Sequence, residues 1–189
     1  LMPLSALALT EKLSSPDGRF EFVLTQHDGR FSYTLTYDGK TVIKPSELGV
    51  NIDNKLFESA LGVPNEDVRL WCENLHHIGT DRLERDTTWT PPYGEWNTIR
   101  DNYRQMTVRF MKGADEVNAE GYSKGKCYFF NIDVRAYNEG VAFRYSFPET
   151  GNGLFIHLTS ELTEFAFEPG AEALLSLIHI SEPTRRRGI

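Results

Sequence analysis

The chain has 189 residues, which fits one domain, and 40% of them are hydrophobic, enough to form a buried core. Its formal net charge is −7, from 27 acidic against 20 basic residues, so it lacks the basic face that nucleic-acid-binding proteins carry. No apolar stretch is long enough to span a membrane. The aromatic residues are therefore interpreted as core residues or as platforms for a neutral ligand such as a sugar.

The first eight residues resemble the end of a signal peptide. They are apolar and finish in Ala6-Leu7-Ala8, a small-residue cleavage pattern, although the basic start of such a peptide is missing. The alternative is a frayed apolar terminus. We interpret residues 1–8 as a signal-peptide remnant, which predicts a periplasmic or secreted protein.

Two Asp-Gly pairs organise the part of the chain that follows. Asp28-Gly29 and Asp38-Gly39 supply the positive φ that tight hairpin turns require. Between them, residues Phe31 to Tyr37 alternate apolar and polar side chains, the period of a half-buried antiparallel strand. Strands over Phe20–Thr25 and Thr41–Lys44 are predicted on either side.

Further short strands follow with turn signals between them. The alternation is clearest in Tyr128–Val134 and Ala142–Phe147, which the turn Asn138-Glu139-Gly140 separates. The other predicted strands are Val68–Trp71, Met106–Met111, Phe155–Leu158 and Leu162–Phe167. Closely spaced strands of this kind predict an all-β fold of antiparallel sheets, as a sandwich or a barrel.

The least regular stretch runs from Thr87 to Arg104, where Pro91-Pro92 and Gly94 exclude a regular central strand. Aromatic rings stand there beside carboxylate, amide and guanidinium groups, which suits carbohydrate because rings stack on C–H faces and planar polar groups pair with hydroxyls. The candidate substrate-binding residues are Trp89, Tyr93, Glu95, Trp96, Asn97 and Arg100. The alternative is a long loop held in place by its own aromatic side chains.

The cysteines and the paired histidines have no metal-ligand spacing. Cys72 and Cys127 are compatible either with buried thiols or with a disulfide. His76 and His77 would point to opposite faces of a strand and cannot both ligate one metal from it. We interpret them as surface or structural histidines.

No sequence motif assigns a reaction to the chain. It contains neither a Gly-rich phosphate loop nor a Gly-x-Ser-x-Gly elbow. Carboxylates are plentiful, but spacing along a sequence does not establish the separation that glycoside hydrolysis requires. The carboxylates considered are Glu47 and the two pairs Glu161 with Glu164 and Glu95 with Asp101. The residues alone therefore indicate a secreted, acidic, all-β domain with one aromatic-polar loop.

Four segments, in order over residues 14–173, carry a family resemblance: SPDGRFEFVLTQHDGRFSYTLTYDGKTVIKPSELGV, TTWTPPYGEWNTIRDNY, VRAYNEGVAFRYSFPE and LTSELTEFAFEPGAEA. Together they resemble the N-terminal domain of glycoside hydrolase family 97, which comprises SusB-like α-glucosidases and related α-galactosidases. The resemblance implies a galactose-mutarotase-like antiparallel β-super-sandwich. That sandwich is larger than this chain, so it is expected to be incomplete at its C-terminal end.

In the family, a (β/α)₈ barrel with the catalytic carboxylates follows, and the N-terminal domain packs on it and shapes its pocket. The resemblance thus implies a non-catalytic domain fragment of an α-glucosidase or α-galactosidase, with no catalytic residue of its own. Its implied partners are the barrel and, in the full-length enzyme, an α-linked oligosaccharide. Two questions stay open: whether the parent enzyme is an α-glucosidase or an α-galactosidase, and whether it hydrolyses with inversion or retention.

The resemblance also implies calcium in the full-length enzyme, ligated in part by a glutamate of the N-terminal domain. We expect that glutamate downstream of the LTSELTEF segment and do not assign it to Glu161, Glu164 or Glu172. The chain alone is expected to bind no calcium and to supply no metal ligand.

The last residues break the pattern of the rest. The run LLSLIHISEPTR resembles a translated sequencing adapter, and three arginines follow it at 185–187 in an otherwise acidic chain. We interpret residues 174–189 as a non-native tail and residues 9–173 as the N-terminal β-sandwich domain.

Two other functions fit the residues less well. One is a stand-alone carbohydrate-binding module with Trp89, Tyr93 and Trp96 as its platform. The other is a mutarotase-like sandwich enzyme, which would need a histidine and a glutamate converging in a cleft, with His76, His77 and His157 as the available histidines.

Overall fold

The computed structural model describes residues 9–53, 55, 59, 69–93, 97–113, 127–148 and 156–173. The proposed signal remnant (1–8) and the proposed tail (174–189) lie outside these residues. The strands within them are β1 (Leu9–Ser14), β2 (Phe20–His27), β3 (Arg30–Tyr37), β4 (Lys40–Leu48), β5 (Val50–Ile52), β6 (His76–Trp89), β7 (Ile99–Gly113), β8 (Cys127–Tyr137), β9 (Val141–Ser146) and β10 (Leu158–Glu161).

The strands form two four-stranded antiparallel sheets and one smaller pair. The first sheet has the order β1-β2-β3-β4 and the second the order β6-β7-β8-β9, while β10 pairs with β5. Each sheet is a meander, so every strand lies beside its neighbour in the chain. The prediction of an all-β antiparallel fold is confirmed. Among the described residues, no helix has the length and apolarity to cross a membrane.

The two sheets pack face to face around an aromatic core. On β3, Phe31 points at the second sheet, and its ring lies edge-on to Phe110 of β7 with 4.6 Å between centroids. Phe22 of β2 similarly lies 6.2 Å from Phe143 of β9. We call the face of each sheet that contacts the other the inner face, and the opposite one the outer face. The sandwich interpretation is thereby confirmed.

The Asp-Gly pairs form the hairpin turns that the sequence predicts. Asp28 and Gly29 have φ values of 49° and 75°, and Asp38 and Gly39 have 48° and 74°. Positive φ at both central residues matches the right-handed twist of the strands that the turn connects. The first turn also binds a distant segment, because the Asn74 amide donates to the Gly29 carbonyl at 2.9 Å.

We expect Gly29→Ala to destabilise the chain more than Gly39→Ala. Both substitutions force alanine to a positive φ, at a cost of about 1 kcal/mol. At Gly29 the new Cβ would also lie 1.9 Å from Asn74 Oδ1, whereas nothing lies within 4 Å at Gly39. Urea unfolding followed by tryptophan fluorescence measures the difference. Equal losses would mean that Asn74 does not contact this turn in solution.

Three sequence predictions about strands differ from the structure. Val68–Trp71 is not a strand: Val68 lies outside the described residues, and Arg69 to Asn74 form bends and turns. The Trp71 amide donates to a side chain, Asn51 Oδ1 of β5, at 2.8 Å. Strands β1 and β6 were not predicted, although each belongs to a four-stranded sheet. Residues 162–167, which were predicted to form a strand, follow β10 directly and are not part of a regular strand in the structure.

The structure separates the alternatives for Cys72 and the paired histidines. Cys72 is a buried free thiol, so it forms no disulfide. Burial raises the pKa of its thiol, and the Val50 amide donates to its sulfur at 3.4 Å. Cys127 begins β8, and its side chain lies outside the described residues. His76 and His77 are exposed, as predicted, and His77 Nε2 lies 2.9 Å from Thr80 Oγ1.

Candidate functional site

The aromatic-polar stretch lies at the end of a projecting β-ribbon. Strands β6 and β7 pair from His76 and Met111 to Trp89 and Ile99. Pairing of β7 with β8 begins only at Tyr103, so residues 99–102 have β6 as their sole described neighbour strand. The end of the β6–β7 pair therefore projects beyond the sheet as two strands. We call the described residues 83–93 and 97–103 the ribbon.

The register of the ribbon separates two of the candidate residues. Trp89 lies opposite Ile99, and Thr88 lies opposite Arg100. Residues directly opposite each other in an antiparallel pair share a face, and successive residues alternate. Trp89 therefore lies on the outer face, where it is 49% exposed, whereas Arg100 lies on the inner face. One flat sugar cannot contact both side chains through the same face.

Arg100 is engaged in an ion pair. Its Nε and terminal nitrogen donate to the two carboxylate oxygens of Asp86 at 2.8 and 2.7 Å, a bidentate arrangement. The hydrogen bond from Arg100 lowers the pKa of Asp86, and the same bond raises the pKa of Arg100. Both groups are exposed, so the pair orders the ribbon more than it stabilises the fold.

Two further arginines tether the inner face of the ribbon region to β1. Arg82 donates to Glu11 Oε2 and to the Lys12 carbonyl, both at 2.6 Å. Arg104 donates to Glu84 Oε1 and to the Ser15 carbonyl, both at 3.2 Å. These contacts hold the base of the ribbon against the first sheet. Consequently, its outer face presents a fixed surface to solvent.

Two more of the candidates, Tyr93 and Asn97, lie between β6 and β7 at the ribbon tip. Tyr93 is 88% exposed, and Asn97 is also exposed. Glu95 and Trp96 lie outside the described residues. Of the six candidates, the structure thus places Trp89, Tyr93 and Asn97 at one end of the ribbon, open to a ligand. Arg100, by contrast, is already engaged in the ion pair with Asp86.

The outer face of the second sheet carries a cluster that the sequence did not point to. The rings of Tyr103 and Tyr137 lie 5.2 Å apart, and the Arg135 guanidinium stacks 4.4 Å above Tyr103. A hydrogen bond with Tyr137 raises the pKa of Arg135. Arg135 also donates to Gln105 Oε1 at 2.7 Å. Tyr103 is only 1% exposed, so these neighbours cover its ring, and the cluster packs the outer face of the sheet without offering Tyr103 to a ligand.

Three of the carboxylates named from the sequence, Glu47, Glu161 and Glu164, make structural contacts. Glu161 Oε1 accepts the Thr163 hydroxyl at 2.8 Å, and Glu164 Oε2 accepts the Glu47 amide at 3.1 Å. Glu47 also pairs with Arg69. Within the part of the chain that the structure describes, no group of three or more His, Cys, Asp or Glu side chains is arranged to hold a metal ion.

Comparison with known proteins decides the family. The model of the glycosyl-hydrolase 97 N-terminal domain matches residues 13–185. The chain belongs to glycoside hydrolase family 97. A curated family relative, a retaining alpha-galactosidase of Bacteroides thetaiotaomicron, is 27% identical over 159 residues, which cover 82% of this chain and 18% of the galactosidase.

Solved structures of two longer proteins share the fold. An enzyme from Pseudoalteromonas sp. strain K8, solved in complex with acarbose, superimposes with a TM-score of 0.62 at 24% identity over 84% of this chain. A beta-arabinopyranosidase superimposes with a TM-score of 0.60 at 20% identity over the same share. The chain spans only 20% and 21% of those two proteins, about a fifth of each.

Proposed function

We propose that the chain is the N-terminal, non-catalytic domain of a periplasmic or secreted enzyme that hydrolyses α-glycosides. The family match over residues 13–185 carries this proposal. It is supported by length, because family 97 relatives are about five times longer than the part that this chain matches. It is also supported by the described carboxylates Glu47, Glu161 and Glu164, which are occupied by contacts within the domain.

In this proposal, a (β/α)₈ barrel elsewhere in the longer protein supplies the catalytic carboxylates, and this domain packs on it. The ribbon tip then borders the pocket, with Trp89, Tyr93, Glu95, Trp96 and Asn97 as residues that contact an α-linked oligosaccharide. The relatives agree with this substrate class: one is an alpha-galactosidase, and the Pseudoalteromonas enzyme was solved with panose and with acarbose. Calcium belongs to the full-length enzyme in this proposal.

The contiguous gene tests the proposal. We expect the genomic sequence after residue 173 to encode a (β/α)₈ barrel, and the full-length protein to hydrolyse an aryl α-glucoside or α-galactoside. Chelation of calcium should lower that activity, whereas the present chain should turn over neither substrate. A natural stop codon shortly after residue 173 would overturn the proposal.

In that full-length enzyme, we expect Trp89→Ala to raise KM for an oligosaccharide by up to about tenfold with little change in kcat, because one ring-stacking contact contributes about 0.5–1.5 kcal/mol. Leu83→Ala is the matched control. Leu83 lies on the same outer face and is 52% exposed, but it lies six residues farther from the tip. A similar rise in KM for both variants would indicate a general disturbance of the ribbon.

A stand-alone carbohydrate-binding module is the second candidate function. The observation that favours it is the exposure of two rings, Trp89 and Tyr93, at the end of a tethered ribbon. Titration of the chain with maltooligosaccharides separates the two functions. Binding at micromolar concentration by the chain alone would favour the module, whereas a domain that needs its barrel should bind no sugar.

A further inference from the structure

A segment near the end of the described chain runs along β4, the edge strand of the first sheet. Residues 157–166, which include β10, lie antiparallel to β4 and β5. The Asp53 amide donates to the His157 carbonyl at 2.9 Å, and the Leu162 amide donates to the Gly49 carbonyl at 2.8 Å. Farther along, the Lys44 amide donates to the Ala166 carbonyl at 2.8 Å. We call residues 157–166 the clasp strand.

Tyrosine hydroxyls from both sheets hold the clasp strand. Tyr33 of β3 donates to the Glu164 carbonyl at 2.9 Å. Tyr145 of β9 lies 2.8 Å from Thr163 Oγ1, and Thr163 donates its only hydroxyl proton to Glu161. Tyr145 is therefore the donor to Thr163. The clasp strand thus bridges the two sheets at one side of the sandwich.

An aromatic side chain of the clasp strand fits between the sheets without being enclosed. The Phe165 ring lies 6.3 Å from the rings of both Tyr33 and Phe143, yet 53% of the residue is exposed. Every residue from 157 to 166 is half-buried or exposed. The clasp strand is therefore bound mainly by hydrogen bonds, from the main chain and from side chains such as Tyr33, Tyr145 and Ser46, whereas other strands build the cores of the sheets.

We infer that the clasp strand is exchangeable: the groove that it fills is a binding site for the same extended segment of a second copy of this chain. The groove consists of the edge Lys44–Asp53 with Tyr33 and Tyr145. Edge strands whose residues are half-buried or exposed open at a lower free energy than the core. An open edge with side-chain pockets on one side binds a peptide by adding it as a strand. A hydroxyl at position 163 and a ring at 165 set the specificity.

The test is binding of a fluorescent peptide of residues 156–168 to the full chain. Weakening the chain's own clasp strand with Thr163→Val and Phe165→Ala should tighten binding of the unmodified peptide about tenfold or more, because a larger fraction of grooves is then open. A peptide with the same two substitutions should bind more weakly to either chain. Adding Tyr145→Phe to the receiving chain should weaken binding of the unmodified peptide.

Hydrogen exchange on the unsubstituted chain tests the same inference independently of any variant's folding. We expect the amides of Leu162 and Glu164 to exchange faster than those of β2, β3, β7 and β8. A dimer that forms at high concentration and dissociates on addition of the peptide would support exchange between copies. The inference is overturned if these amides exchange only with the core, or if the peptide binds both chains equally or not at all.

Discussion

Replacing Phe31 with alanine should lower the free energy of unfolding by about 3–5 kcal/mol, the usual cost of removing a buried phenylalanine. Phe31 is 2% exposed and lies at the contact between the sheets. Its ring meets Phe110 edge-on at 4.6 Å and Phe130 at 6.4 Å, so truncation leaves a cavity that neither sheet can close without moving. Domains of this kind have about 5–15 kcal/mol in total, so the variant should be close to unfolding at 37 °C.

Chemical denaturation at pH 7 measures this loss, with Val42→Ala as the control. Val42 lies on β4 of the same sheet, is 37% exposed, and should change stability by no more than about 0.5 kcal/mol. Phe110→Ala and the double variant complete a cycle, in which we expect the two losses to be non-additive by about 0.5–1.5 kcal/mol. A loss below about 1 kcal/mol for Phe31→Ala would contradict the packing of the two sheets.

The sequence predicted those parts of the fold whose signals are local. The Asp-Gly turns at 28–29 and 38–39 and the alternation in β3 concern residues that are neighbours in the chain, and all are found in the structure. The same holds for β8 and β9, whose inner residues alternate with polar ones. Because these signals need no distant partner, they predicted the strands and the hairpins.

The parts that were missed depend on distant contacts. Strand β6 has polar side chains on both faces, so no alternation identifies it. It is held by its ladder with β7 and by Arg82 reaching Glu11 of β1. Conversely, Val68–Trp71 has apolar residues at strand-like density, but Trp71 is fixed by Asn51, 20 residues earlier. Neither contact can be recognised from the local sequence.

In the candidate site, the sequence likewise did not show which face of the ribbon each side chain occupies. Trp89 and Arg100 are close in sequence, and composition alone grouped them together. Which face each one occupies depends on where β7 resumes after the loop, and the register places them on opposite faces. The cluster of Tyr103, Arg135 and Tyr137 depends likewise on the register between β7 and β8, which sequence does not give.

The stability of the chain should fall steeply as the pH rises from about 10 to about 12. Burial raises the pKa of Tyr33 from 10.0 to about 12, and burial also raises the pKa of Tyr145. Below pH 10, a tyrosine whose pKa is raised by folding is neutral in both the folded and the unfolded state. The stability that it contributes to the fold is therefore fully present there. Above pH 10 the tyrosines of the unfolded state ionise first, so the stability that neutral Tyr33 contributes is lost as the pH approaches 12.

Urea midpoints between pH 8 and pH 11.5 test this expectation, with Tyr33→Phe as the informative variant. At pH 8 the variant should lose about 0.5–1.5 kcal/mol, because the hydrogen bond to the Glu164 carbonyl is gone. Above pH 10 its stability should fall less steeply than that of the unsubstituted chain, since Tyr33, whose pKa is raised by burial, is absent. Tyr93→Phe, at an 88% exposed position, should leave the pH dependence unchanged. Parallel pH profiles for the unsubstituted chain and Tyr33→Phe would show that the Tyr33 hydroxyl is not buried against the clasp strand in solution.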